Sequence, residues 1–127
     1  MNTYFFVKKR MFICFTGVIT CNVVICRWGD VAGKTFILNK CLAYTDLVIS
    51  IHSAEIGYSP VWSLSCRYQF SRVTCAWRLI TNHSAIIKCN GQRSCSISLQ
   101  DIFSITIQCG RQRYGNVIYI EYNCTGT

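Results

Sequence analysis

Ten cysteines in 127 residues constrain this chain more than any other feature. In a reducing compartment so many thiols imply metal binding or redox chemistry. In a secreted chain they imply a disulfide framework. The N-terminus decides between these readings. Lys8, Lys9 and Arg10 stand together, and residues 11–26 then carry no charge until Arg27 and Asp30. A basic stretch followed by a short apolar run is the pattern of a secretory signal peptide. The run falls short of the roughly 20 apolar residues that span a bilayer. We therefore expect a signal peptide over residues 1–25 and a secreted, extracellular domain over residues 26–127, the alternative being an uncleaved signal anchor. On that division Cys14 and Cys21 belong to the leader. Cys26, Cys41, Cys66, Cys75, Cys89, Cys95, Cys109 and Cys124 remain. Their even number fits four bridges, but sequence alone leaves 105 pairings open.

The length suits one domain and not two. The formal charge is +8, and with the three leader cations set aside it is +5. The basic residues are scattered, with no basic run interleaved with aromatics of the kind a nucleic-acid reader shows. No nucleic-acid partner is therefore expected, nor any membrane insertion apart from the leader. Zinc is disfavoured too, because no C-x2-C pair occurs. No metal or other cofactor is expected. His52 and His83 are the only histidines. Neither has a carboxylate and nucleophile patterned around it, so an enzyme is not expected.

Period-2 alternation rich in Ile, Val, Tyr and Thr marks half-buried strands. It occurs over residues 35–39, 47–52, 94–99, 102–108 and 117–122. Turn signals separate these segments at residues 57–60, at Asn90-Gly91 and at Gly115-Asn116. Residues 77–88 are the best helix candidate, although Thr81, Asn82 and Ser84 also favour turns. The expected fold is α+β: a small disulfide-rich domain, mainly antiparallel strands with one or two short helices. Trp28, Trp62 and Trp77 read as packing residues, with Trp62 also a candidate surface contact. Two glycosylation sequons occur, Asn82-His83-Ser84 and Asn123-Cys124-Thr125, of which Asn82 is the better acceptor.

The segment CNGQRSC, followed by SISL, Phe103, Cys109 and a closing VIYIEYNC, resembles the second half of the galactose/rhamnose-binding lectin domain of the sea-urchin-egg-lectin type. That domain is also found in latrophilin-like adhesion receptors. Upstream, ISIHSAEIG resembles the family strand that leads into a Tyr-Gly-Arg motif. The resemblance covers about residues 26–124. It implies the pairs Cys26–Cys66, Cys41–Cys124, Cys75–Cys109 and Cys89–Cys95, and calcium-independent, non-covalent binding of glycans or glycoproteins on cell surfaces.

The sugar-site motifs differ from the family pattern. Arg27 follows Cys26 where the family has Glu, Ile107-Gln108-Cys109 replaces Asp-Pro-Cys, and residues 110–115 read GRQRYG. Glu55, Gly57, Tyr58, Arg111, Arg113 and Tyr114 are the candidate ligand-binding set. Glu55 would accept from sugar hydroxyls, Tyr58 or Tyr114 would stack on an apolar sugar face, and the arginines would suit an acidic glycan or a carboxylate. The expected function is a secreted lectin-like recognition domain. The alternative is a protein–protein adhesion or receptor-recognition module on the same fold with the sugar site lost.

Overall fold

The computed structural model describes residues 6–14, 20–27, 29–58 and 75–126, with residues 6–14 and 75–77 described as backbone. The alternating segments form strands, and the longest of them build a five-stranded antiparallel sheet. Its order is β1 (Phe6–Cys14), β2 (Thr20–Cys26), β9 (Val117–Gly126), β4 (Leu47–Tyr58) and β5 (Cys75–Leu79). Two ribbons complete the described strands. β3 (Thr35–Leu38) pairs with β6 (Cys95–Ser98), and β7 (Thr106–Cys109) pairs with β8 (Gln112–Tyr114). Two short helices, α1 (Ser84–Ile87) and α2 (Leu99–Phe103), give the small α component of this α+β domain.

Register explains the core. Ile25, Ile118 and Ile56 align across β2, β9 and β4, as do Val23, Ile120 and Ala54. Successive side chains of a strand point to opposite faces, so these rows share one face. All six are fully buried. Burial of each large aliphatic side chain stabilises the fold by about 1.5–3 kcal/mol. Leu99, Ile102 and Phe103 of α2 belong to the same core, with Ile86 of α1 and Ile97 of β6.

β4 has a local problem to solve. Ile49 and Ile51 are odd-numbered, Ala54 and Ile56 even-numbered, yet all four pack into the core or against it. The register shifts between Ile51 and Ser53, a β-bulge that returns the later residues to the same face. The Asn90 side chain accepts a hydrogen bond from the Ile51 amide at 2.7 Å there.

Two segments depart from the sequence reading. Residues 77–88 do not form one helix. Residues up to Leu79 pair with β4, and a turn then leads to α1, which His83 caps by accepting the Ala85 amide at 3.1 Å. Here the turn preference of Thr81 and Asn82 outweighs apolar spacing. Residues 102–108 do not form one strand either. Ser98 caps α2 by accepting the Asp101 amide, so Ile102 and Phe103 end a helix, and β7 starts only at Thr106. An N-cap serine before a short apolar run is a helix signal that alternation masked.

Cys41–Cys124 ties the turn after β3 to β9, and Cys89–Cys95 closes the short loop before β6. Both are among the pairs that the resemblance implies. Cys26 and Cys109 are also disulfide-bonded, while residue 66 and the side chain of residue 75 lie outside the described residues. Cys21, which the sequence reading placed in the leader, is itself disulfide-bonded and fully buried. The expected boundary after residue 25 falls inside β2, the strand between β1 and β9. No helix among the described residues is long and apolar enough to cross a membrane.

Candidate functional site

At one end of the sheet three strands finish together. Cys26, Val117 and Gly57 are register neighbours across β2, β9 and β4. The chain continues this pairing past the strands: the Arg27 amide donates to the Asn116 carbonyl at 2.9 Å, and the Asn116 amide donates to the Gly57 carbonyl at 2.9 Å. Gly115 allows this close approach. A Cβ there would lie 2.6 Å from Ile56 Cγ1 and 2.7 Å from the Gly57 oxygen.

An open cleft of about 310 Å³ lies at this end. The loop after β2 forms one wall with Arg27 and Asp30, α2 and the residue after it give Gln100, Phe103 and Ser104, and Tyr114 of β8 closes the other side. The local sequence fixes each wall. Asp30 Oδ1 accepts the Ala32 amide at 2.9 Å, an Asx turn that holds the carboxylate at the rim. Val31 drops into the core and anchors the loop. The Arg27 guanidinium stands 5.9 Å from the Phe103 ring centroid, within cation–π range, and its Nε donates to the Gly29 carbonyl at 3.4 Å. Tyr114 is 48 % exposed. The same residue lines a second, shallow depression of about 540 Å³ along β7 and β8, together with Arg113 and Gln112. Tyr114, half exposed, therefore lines two clefts, and Arg27 and Asp30 line the first with it.

The six expected ligand residues divide into two groups. Arg111, Arg113 and Tyr114 are exposed on the β7–β8 ribbon and its turn, where Gly110 adopts a φ of 58°. Glu55 is 9 % exposed and lies in register with Tyr119 and Leu79 inside the sheet, so it does not present a carboxylate at the cleft. Gly57 is buried and contributes its carbonyl to Asn116. Tyr58 is half-buried and packs against the core, not outward as a stacking platform. The reason is strand length: the expected strand ended at His52, whereas β4 runs to Tyr58 and takes these residues into the sheet. Arg27 and Asp30 line the cleft but are not in the expected set. Their signal was present as the charged pair that breaks the uncharged N-terminal run.

Elsewhere, His52 Nε2 lies 3.3 Å from Glu121 Oε1 on the sheet. Among the described residues no three of His, Cys, Asp and Glu gather as a metal-ligand set. Asn82 is exposed in the turn before α1, and Asn123 is half-buried in β9. Trp28 and Trp62, and the side chain of Trp77, lie outside the described residues. Burial pushes the Tyr122 phenol up to about 12, opposed in part by a backbone hydrogen bond from Lys40. It lies in the core, away from the cleft. No protein family, curated protein or solved structure matches this chain.

Proposed function

We propose that this chain is a secreted, lectin-like recognition domain that binds carbohydrate non-covalently at the cleft between Arg27, Asp30 and Tyr114. The observation that carries the reading is Tyr114, a half-exposed tyrosine that lines both clefts. A pyranose presents an apolar C–H face and a rim of hydroxyls. An exposed tyrosine takes the first, and fixed donors and acceptors take the second. Arg27 and Gln100 supply donors here, and Asp30 supplies an acceptor that its Asx turn pre-orients. Arg111 and Arg113 add positive charge on the same ribbon, which favours glycans carrying a carboxylate or sulfate. Bonded cysteines support an oxidising compartment and hence secretion.

A glycan array probed with the oxidised protein tests the proposal, followed by titration with galactose, rhamnose and sialylated or sulfated oligosaccharides. Saturable binding that Tyr114→Ala and Asp30→Asn each weaken by tenfold or more is expected. Binding that survives both substitutions, or no binding to any glycan, overturns it. A second reading, a protein-recognition module, is favoured by Ile37 and Leu42, which are 51 % and 50 % exposed on β3 and the turn after it. On that reading substitution of Ile37 and Leu42, not of Tyr114, abolishes partner binding.

A further inference from the structure

The outer edge of the five-stranded sheet carries an apolar feature that the cleft does not use. Leu79, the last residue of β5, is 70 % exposed, more than any other large hydrophobic side chain described. It lines an open groove of about 270 Å³ whose apolar part is Leu79, Ile80 and Ile105 and whose polar part is Arg78, Thr81, Asn82 and His83. β5 is the last strand of the sheet among the described residues; Arg78 reaches β7 by donating to the Thr106 carbonyl at 2.7 Å, while Leu79 leaves an apolar tip at the edge, which invites contact with another chain unless something covers it.

Asn82 opens the sequon Asn82-His83-Ser84. The turn that carries it is held to β4 at Ala54: Ile80 donates its amide to the Ala54 carbonyl at 2.8 Å, and Thr81 Oγ1 accepts the Ala54 amide at 3.0 Å and donates to the Ala54 carbonyl at 3.4 Å. His83 is turned inward to cap α1, while Asn82 and Ser84 are both exposed. The acceptor amide and the hydroxyl two residues on are therefore both accessible. Asn123 is placed differently, although its Thr125 is also exposed. It sits within β9 between Thr20 and Ser50, its Oδ1 accepts from Thr20 Oγ1 at 2.9 Å, and the next residue is bridged to Cys41.

We propose that Asn82 carries an N-linked glycan whose first N-acetylglucosamine lies against Leu79 and Ile105 and covers the apolar part of the groove at the sheet edge. The donor is a lipid-diphosphate oligosaccharide of the secretory pathway. The bond from Asn82 Nδ2 to the sugar C1 forms as the bond from C1 to the diphosphate oxygen breaks. Nδ2 loses a proton, and the lipid diphosphate departs. The N-acetyl methyl and the apolar ring face then meet Leu79, three residues before the acceptor, which removes apolar surface from water. The inference needs entry into the secretory pathway but not sugar binding at the cleft.

The test is expression of the full chain in a eukaryotic secretory host, with intact mass measured before and after enzymatic removal of N-glycans. One glycan is expected, lost entirely in Asn82→Gln and retained in Asn123→Gln. After trimming to a single N-acetylglucosamine, nuclear Overhauser contacts between its acetyl methyl and the Leu79 methyls are expected, and Leu79→Ser removes them without changing occupancy. Four outcomes overturn the proposal: an oxidised chain without glycan, a glycan only at Asn123, a trimmed sugar that makes no contact with Leu79, or a chain recovered reduced and unmodified. Glycan binding by refolded, oxidised protein decides the cleft separately.

Discussion

At its N-terminal end β4 is held on every side. Ile49 exchanges backbone hydrogen bonds with Gln92 and Gly91 at 2.7 and 2.8 Å, and Asn90 takes the Ile51 amide. Those three residues are fixed in turn by the Cys89–Cys95 bridge. On the opposite side Ile49 faces Cys124, which is tied to Cys41. At its C-terminal end β4 is also paired on both flanks, Gly57 with Val117 of β9 and Tyr58 with Cys75 of β5, and the disulfide-bonded Cys26 closes β2 at the same end. Gly57 meets Asn116 through one backbone bond, and the neighbouring β8 is exposed throughout. The contrast separates two jobs. The bridges Cys41–Cys124 and Cys89–Cys95 and the 89–92 turn hold one end of β4, and at the other the paired strands run on into loops and an exposed ribbon with a half-exposed tyrosine. Contact residues belong on such loops because a rigid scaffold positions them without burying them.

Five measurements break or sharpen this contrast. The largest effect is expected from removing β2, which serves both ends. A chain beginning at Cys26 loses Val23, Val24 and Ile25, all fully buried, and uncovers an edge of β9. At about 1.5–3 kcal/mol for each side chain, the loss rivals the whole net stability of a small domain, typically 5–15 kcal/mol. A chain beginning at Thr20 is expected to give dispersed amide resonances and one beginning at Cys26 is not. A folded product from the shorter chain would show that β2 is dispensable.

Next come the bridges. Cys41 and Cys124 are 83 residues apart in sequence and Cys89 and Cys95 only 6. The chain-entropy model gives losses of about 4–5 and about 2 kcal/mol for replacing each pair by alanine. Urea midpoints of the two double variants measure the difference. Equal losses would mean that loop closure is not what stabilises the end that these bridges hold.

The Tyr122 phenol comes third. Its value in the fold is about 12 against an ordinary 10.0. The stability this contributes is complete below pH 10 and is lost as pH rises towards 12, since the unfolded chain releases that proton first. The loss is on the order of 2–3 kcal/mol. Tyr122→Phe should flatten the fall in melting temperature across that window. A slope unchanged by the substitution would assign the alkaline loss to other groups.

Gly115→Ala tests the open end. Its new Cβ would press on Ile56 and the Gly57 carbonyl, and the backbone oxygen has little room to yield. Overpacking of this kind costs about 1–3 kcal/mol. The displacement should appear as amide shifts centred on Gly57, Asn116 and Arg27. Shifts confined to residue 115 and its chain neighbours would mean that the three strand ends are not coupled there.

Much of the architecture was legible in the residues. Alternation in residues 117–122 marked β9, and Asn90-Gly91 marked the turn inside the short disulfide loop, where Gly91 adopts a φ of 83°. What failed did so for local reasons. The β4 pattern breaks at His52 because a bulge intervenes, so periodicity ended the strand six residues early and left Glu55 and Tyr58 looking like loop residues. Alternation in residues 102–108 concealed a capped helix, since Ile102 and Phe103 satisfy either period over so short a run. The cleft was legible only in part. Tyr114 and Arg113 stood out as an aromatic and basic turn, but Arg27 and Asp30 join them through strand pairing between residues some 90 positions apart, which local patterning does not reveal.

The smallest effect on stability, and the sharpest test of the contrast, is expected from Tyr114→Ala. The ring is half exposed and β8 is exposed throughout. Surface substitutions of this sort usually change stability by no more than about 0.5 kcal/mol. Its expected effect on binding is of a different order, a tenfold loss or about 1.4 kcal/mol, because the stacking face goes with the side chain. Arg113→Ala should behave alike towards stability but weaken only anionic glycans, and the deficit should shrink as salt screens the charge. If Tyr114→Ala instead lowers stability by as much as Gly115→Ala, the ring is a packing element. The open end would then be a continuation of the core, and the cleft would lose its claim to be the site.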